Sequence, residues 1–345
     1  MSTRPGFKRS KTLPFKIKNL KRVLRTLTLV PSQENDEELI EMWEAMKHQE
    51  KSTLPSILKL EMQPEVRWER RPFLVDYLIQ VHNHLSLAPE TLYLALNLVD
   101  RYMSQVTVKL QYYQLLGLTA LWVAAKYTDS AHIPPQKLSD LCSRQYDANN
   151  FAQMERHLLK TLGWRIGHPT AEEFLRIIIK RKECARDGAE WIARFLMELT
   201  LFHERFIEYG PAIIAEAALY FAKRILNLSQ PTRRAADPCL QCAQLMDELC
   251  LQSVSRVVHD KYACEARYKA SIRVKAWADA GNTLTLSPIS STHSELYAQK
   301  HCLPTPPSEG RIMHLDVMPP QRRVLLPEFL DANDENKIPD GMLTP

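Results

Sequence analysis

Glycine is scarce in this chain, with 9 residues in 345 against 22 prolines. That scarcity argues against glycine-rich phosphate loops and against turn-rich β folds. No Walker motif, dinucleotide-binding fingerprint or nucleophile elbow occurs. Charge of one sign is not in large excess: a net charge of +5 does not by itself call for nucleic acid. The seven cysteines are odd in number and dispersed, so reduced thiols in a reducing compartment are the default. Cys239-Leu240-Gln241-Cys242 is a lone C-x-x-C with no second pair at zinc-site spacing. His82 and His84 are two apart on a helix and diverge. His203-Glu204 lacks the second histidine of a metalloprotease helix. No metal, no cofactor and no catalytic role are therefore expected. The basic start lacks the apolar core of a signal peptide. The longest apolar run, Leu115 to Ala125, is too short to cross a bilayer. A soluble intracellular protein without membrane contact is the expectation.

What is present is helical periodicity. Leu39, Met42, Trp43 and Met46 form one stripe behind Asn35 and Asp36, either of which can cap the helix. A lone amphipathic helix there must dock, on its own domain or on a partner. Further helices are predicted over Glu69–Leu85, Thr91–Ser104, Val108–Tyr127, Lys137–Cys142 and Ala148–Gly163. Pro72 is tolerable only near a helix start. The segment from Leu115 to Ala125 is apolar all round, so other helices must surround it. After His168-Pro169, Thr170 and Glu173 make a capping box for Ala171–Lys182. Ala189–Phe206, Pro211–Leu226, Pro238–Cys250 and Ser253–Trp277 follow. Glu216–Lys223 resembles Thr119–Lys126, each a small-residue stretch ending in lysine. This reads as an internal duplication of two units of about five helices.

The chain thus divides into a basic disordered segment (1–33), an N-terminal helix with its lead-in (34–64), two helical units (65–167 and 168–280), and a Pro/Ser/Thr-rich disordered tail (281–345). The basic segment reads as a nuclear-import or acidic-partner element, or equally as a solvated tail.

Five ordered blocks in the first unit resemble a cyclin box. They are Arg71-Pro72-Phe73-Leu74-Val75-Asp76-Tyr77-Leu78, Glu90 to Tyr102, Gln114-Leu115-Leu116-Gly117, Ala124-Ala125-Lys126-Tyr127, and Met154-Glu155 with Leu158-Leu159-Lys160. Residues 169–280 resemble the second cyclin repeat more loosely, and the lead-in from Leu60 to Trp68 is most like fungal G1 cyclins. The resemblance implies an all-α fold of two tandem five-helix bundles after an N-terminal helix. It also implies a non-catalytic subunit that binds and activates a cyclin-dependent protein kinase at G1/S, in nucleus and cytoplasm. A cyclin-fold transcription factor or adaptor without kinase activation is the alternative. A missing zinc ribbon and the lack of a strongly basic helical face count against nucleic acid as its partner.

By the same resemblance, Lys126 and Glu155 match the charged pair that contacts the kinase. Charge and spacing alone also allow a snorkelling lysine and a solvated glutamate; the block order favours the contact. Arg71 and Asp100 match a buried ion pair tying two helices. Arg70, Phe73, Leu74, Tyr77 and Gln114 occupy the family's substrate-docking places. There Arg70 and Tyr77 replace an apolar residue and a tryptophan, which counts against ordinary hydrophobic docking. The two acids that often follow the lysine are replaced by Tyr127-Thr128-Asp129, which implies altered contacts on the kinase side. In the tail, Leu303 to Glu309 resembles a phosphodegron for a phosphorylation-dependent ubiquitin ligase, with Thr305 and Ser308 as its acceptors; Thr-Pro alone reads as a Pro-rich spacer, but the seven-residue run favours the degron. Ser287-Pro288 and Thr344-Pro345 are two more proline-directed sites.

Overall fold

The computed structural model describes residues 35–129, 132–182, 188–228, 233–252 and 254–284. The basic segment 1–33, the tail from 285, and with it Ser287, Thr305, Ser308 and Thr344 lie outside the described residues, as do the side chains of Asn35 and Asp36. Residues up to Met42 form a unit of their own, whose described part is the first turns of α1 (Asn35–Lys51). The described residues from Trp43 onward belong to one compact unit.

That unit is all-helical, with no strand among the described residues. After α2 (Ile57–Glu61), the first bundle is α3 (Arg71–His84), α4 (Pro89–Met103), α5 (Leu110–Thr128), α6 (Pro135–Leu141) and α7 (Ala148–Thr161). The second is α8 (Ala171–Lys182), α9 (Ala189–Thr200), α10 (Pro211–Ile225), α11 (Pro238–Cys250), and the shorter α12 (Arg256–Tyr262) and α13 (Ala270–Asp279). The most apolar helices take the centres. α5 is buried at every residue from Tyr113 to Ala125 and packs on α3, α4 and α7. α10 does the same among α8, α9 and α11, through Ala212, Ala215, Ala217, Ala218 and Ala222. Small residues let neighbours close in: a Cβ added at Gly117 would lie 2.6 Å from a methyl of Leu74.

Three predicted helices end differently. The α-helix of Glu69–Leu85 begins only at Arg71, after a 3-10 turn from Trp68 to Arg70; this puts Pro72 in the first turn, where its missing N–H costs nothing. The helix drawn to Phe206 stops at Thr200, and the carbonyl of Leu201 then accepts a hydrogen bond from Arg71 Nε at 2.8 Å. The single helix drawn over Ser253–Trp277 is two. Ser255 caps the first, and Tyr268 and Lys269 break the chain at φ of 58° and 49°. No glycine or proline marks that break. The five-residue α2 was not expected. The capping box is present: Glu173 Oε2 accepts from Thr170 N at 2.7 Å and from its hydroxyl at 2.9 Å. Gly163, at φ 57°, follows the end of α7.

From Trp43 on, α1 docks on the second bundle. The Trp43 ring meets Phe174 of α8 edge-on at 4.8 Å, and Glu50 Oε2 accepts from Ala212 N at the start of α10, 3.1 Å away. The bundles are tied to each other as well. Arg176 of α8 forks onto Glu90 of α4 at 3.1 and 2.8 Å, and Ser255 donates to Asp76 of α3.

Between the bundles, Thr53 Oγ1 pairs with His168 Nδ1 at 2.7 Å. Burial, and then the charge of Arg101, push the His168 pKa down to about 3. The folded value lies below the unfolded one, so only the unfolded chain takes the proton between them. The stability this neutral imidazole contributes is complete above about pH 6.5 and is lost as pH falls toward 3. Between pH 7 and pH 5 the loss is about 1–2 kcal/mol. His82 and His157, also lowered by burial, act in the same sense, while half-buried Glu173 and Asp76, raised by desolvation, oppose it. Urea unfolding of His168→Gln should show a shallower loss between these two pH values than the parent. Parallel curves would remove His168 as a cause.

Candidate functional site

The site is built at the end of the most buried helix. α5 is enclosed as far as Ala125, and Lys126 is the first residue to emerge. Its stem packs along the helix and its ammonium sits 3.4 Å from the Trp122 ring centroid. The same ammonium donates to Glu155 Oε1. Glu155 stands on α7, whose Phe151, Met154, Leu158 and Leu162 are buried against the core. It lies at the border of that face and is partly exposed. The two charges therefore meet each other at the surface, where the last turn of α5 faces the middle of α7.

Two exposed aromatic residues stand at the ends of these helices: Tyr127, which departs from the family pattern, and Trp164, which carries no motif. Tyr127 follows Lys126 and is exposed; Trp164, after α7, is 70% exposed. A large indole left in solvent carries no periodic signature, because it belongs to no helix. Gly163 and Trp164 both take left-handed φ, at 57° and 60°, and Trp164 N–H donates to Leu159 O at 2.9 Å. A Cβ on Gly167 would lie 2.7 Å from the Tyr127 hydroxyl, so this turn abuts the end of α5.

Asp129 does not join this surface. Its carboxylate accepts from Ala88 N at 3.2 Å and from the Thr91 hydroxyl at 2.7 Å, at the N-terminus of α4. Ala88 has no capping side chain of its own, and a negative charge suits that helix end.

Arg71 and Asp100 meet in the interior. Nη1 and Nη2 of Arg71 donate to the two carboxylate oxygens at 2.6 and 3.0 Å, and both residues are buried. Burial alone would lower the Arg71 pKa; the charge of Asp100 and its hydrogen bonds outweigh this and raise it. The five docking positions split. Arg70 is exposed and Phe73 is 53% exposed. Leu74, Tyr77 and Gln114 are buried. Tyr77 donates weakly to Leu141 O at 3.4 Å, and burial raises its pKa. Leu74 fills the space beside Gly117.

Comparison with known proteins agrees on a family. The model described as cyclin, N-terminal domain, matches residues 41–167, and that described as cyclin, C-terminal domain, matches 169–276. The G1/S-specific cyclin CCN1 of Candida albicans is 38% identical over 201 residues, which cover 52% of this chain and 29% of that protein. The G2/mitotic-specific cyclin-B of Emericella nidulans is 32% identical over 250 residues, 70% of this chain and 52% of the relative. The chain thus spans about half or less of the length of these relatives. A chain of the yeast RNA Pol II CTD kinase CTDK-1 complex shares the fold, with a TM-score of 0.51 at 12% identity over 70% of this chain and 87% of that chain.

Proposed function

The chain belongs to the cyclin family, and from that premise we propose that it is the non-catalytic regulatory subunit of a cyclin-dependent protein kinase, activating it for cell-cycle entry at G1/S. The observation that carries this reading is the Lys126–Glu155 pair, held at the surface by two packed helices, with Tyr127 exposed next to Lys126 in the chain. A protein kinase is active only when a mobile helix is held inward, keeping the Lys–Glu pair that positions the ATP phosphates. A rigid charged and aromatic edge can bias that helix without supplying a catalytic group. The G1/S assignment is supported by the higher identity to a G1/S relative, at 38% against 32% for a mitotic one. The test is reconstitution: the purified chain, added to a purified cyclin-dependent kinase, should raise phosphate transfer to histone in a saturable way. No rise at any concentration would sink the reading.

Substrates would meet the Arg70 and Phe73 side of α3, since the other docking positions face inward. The protein would act in nucleus and cytoplasm. Its turnover would run through Thr305 and Ser308, where phosphate offers the Arg clusters of a ubiquitin ligase an anion within a proline-rich sequence. Ser287 and Thr344 would be further kinase targets. Thr305→Ala should lengthen the half-life several-fold in a chase experiment, and an unchanged half-life counts against the degron.

A further inference from the structure

One strongly charged surface lies on an element that the candidate site does not use. From Arg267 to Lys275, in the turn before α13 and along its first part, the chain places four cations and no acid. α13 buries Ala270, Ser271, Val274 and Ala278 and leaves Ile272, Arg273, Lys275 and Ala276 exposed. Lys269, Ile272, Arg273 and Ala276 fall at i, i+3, i+4 and i+7, so they share one outward face. Its arginines are held in place. Arg273 Nε donates to Tyr268 O at 3.0 Å, and its guanidinium lies 4.2 Å from the Tyr268 ring centroid. Arg267 donates from Nη1 to Lys261 O and lies 5.4 Å from the Tyr262 ring centroid. A stacked and bonded guanidinium has little freedom left to lose when an anion meets its other donors. Arg267, Arg273 and Lys275 form no ion pair among the described residues, and Lys269 meets only exposed Glu265, a contact of small worth.

The complement is in the same chain. Residues 328–340 hold five acids, Glu328, Asp331, Asp334, Glu335 and Asp340, against one lysine. Residues 285–327 hold three acids and four lysines or arginines, so the negative charge of the tail is concentrated in this one stretch. Phe329 and Leu330 stand among the acids. The described chain ends at Leu284, five residues after α13, where its N–H donates to Asp247 Oδ2 at 2.7 Å. Glu328 is 44 positions further on, a stretch able to span up to about 150 Å, against about 15 Å for the whole length of α13.

We propose that the acidic segment from Glu328 to Asp340 docks on the outward face of α13 in its own chain. The acids meet the cations of Arg267 to Lys275, and Phe329 with Leu330 covers Ile272 and Ala276. The tether keeps this partner at high effective concentration, so little intrinsic affinity is needed. Residues 285–327, which carry Thr305 and Ser308, are then held at both ends. The proposal does not depend on the kinase-binding reading.

The test is carbodiimide coupling of carboxylates to amines on the full chain, with heavy-isotope and light protein mixed, read by peptide mass spectrometry. Bonds from Asp331, Asp334 or Glu335 to Lys269 or Lys275 should form within one copy at low salt and vanish in about 1 M salt. The Glu265–Lys269 bond is the internal control. Arg273→Glu should lower the yield about fivefold with the melting temperature unchanged. Phe329→Ser with Leu330→Ser leaves every charge and every residue of the two bundles in place, and should lower it by a similar factor. Absence of these bonds in the parent overturns the proposal, and so does an Arg273→Glu yield equal to the parent's. Bonds between heavy and light copies assign the face to a second copy and overturn it too. If the bonds are absent while Arg273→Glu weakens binding of a purified cyclin-dependent kinase, the face belongs to the kinase and the proposal is wrong.

Discussion

Arg71→Ala should unfold the chain or lower its stability by about 3–5 kcal/mol, because it strands a buried carboxylate. Asp100 sits in the interior with both oxygens bonded to this one guanidinium. Removing the guanidinium leaves a charge that water cannot reach. The carbonyl of Leu201 loses its donor at the same stroke. A domain of this kind is stable by only about 5–15 kcal/mol, so the loss is a large share of the whole. Thermal or urea unfolding would read it directly. A paired change, Arg71→Met with Asp100→Leu, should recover much of the loss, since an apolar pair of similar volume leaves no unanswered charge. Should Arg71→Ala keep a normal melting temperature yet fail to bind a kinase, the pair would be a contact site rather than a frame.

The second large effect falls on association. Lys126→Ala combined with Glu155→Ala should weaken kinase binding by about 2–5 kcal/mol, at least thirtyfold, with an unfolding curve close to the parent's. The stability change is small because both residues are partly exposed, and such pairs contribute about 0–1 kcal/mol to folding. The binding change is large because the pair would be dehydrated under the partner. Activity in the reconstituted histone assay should fall in step with affinity and recover at high concentration of the variant chain. Equal activity for parent and variant at every concentration would exclude this pair from the contact.

How far the sequence could be read depends on the kind of signal. α5 was legible because it is apolar on every side, and only a surrounded helix can be so. The order of helices around it followed from their stripes. The docking positions were less legible. Spacing placed Phe73, Leu74 and Tyr77 on neighbouring parts of one helix, but it could not tell that Phe73 faces solvent while Leu74 and Tyr77 face the core. Asp129 stood out only as part of the stretch that replaces the family's two acids after Lys126; its use as a cap for α4 depends on a neighbour 41 positions earlier in the chain. The break at Tyr268 and Lys269 was invisible for a similar reason. Non-glycine residues at positive φ are held there by tertiary packing, here with the Tyr268 ring pressed against Gly188.

The hydrogen bond from Arg71 to Leu201 has a bearing on modularity. The family descriptions meet at residues 167 and 169, as though the chain were two parts joined end to end. Arg71 belongs to the first part, yet one of its three bonds lies in the second, and Arg176 returns the tie to Glu90. A fragment cut at that seam would leave the Arg71 Nε–H and the Leu201 carbonyl without each other, though Asp100 would still hold the rest of the guanidinium. The repeat is about a hundred residues, but these ties across the seam should make the two bundles melt as one unit.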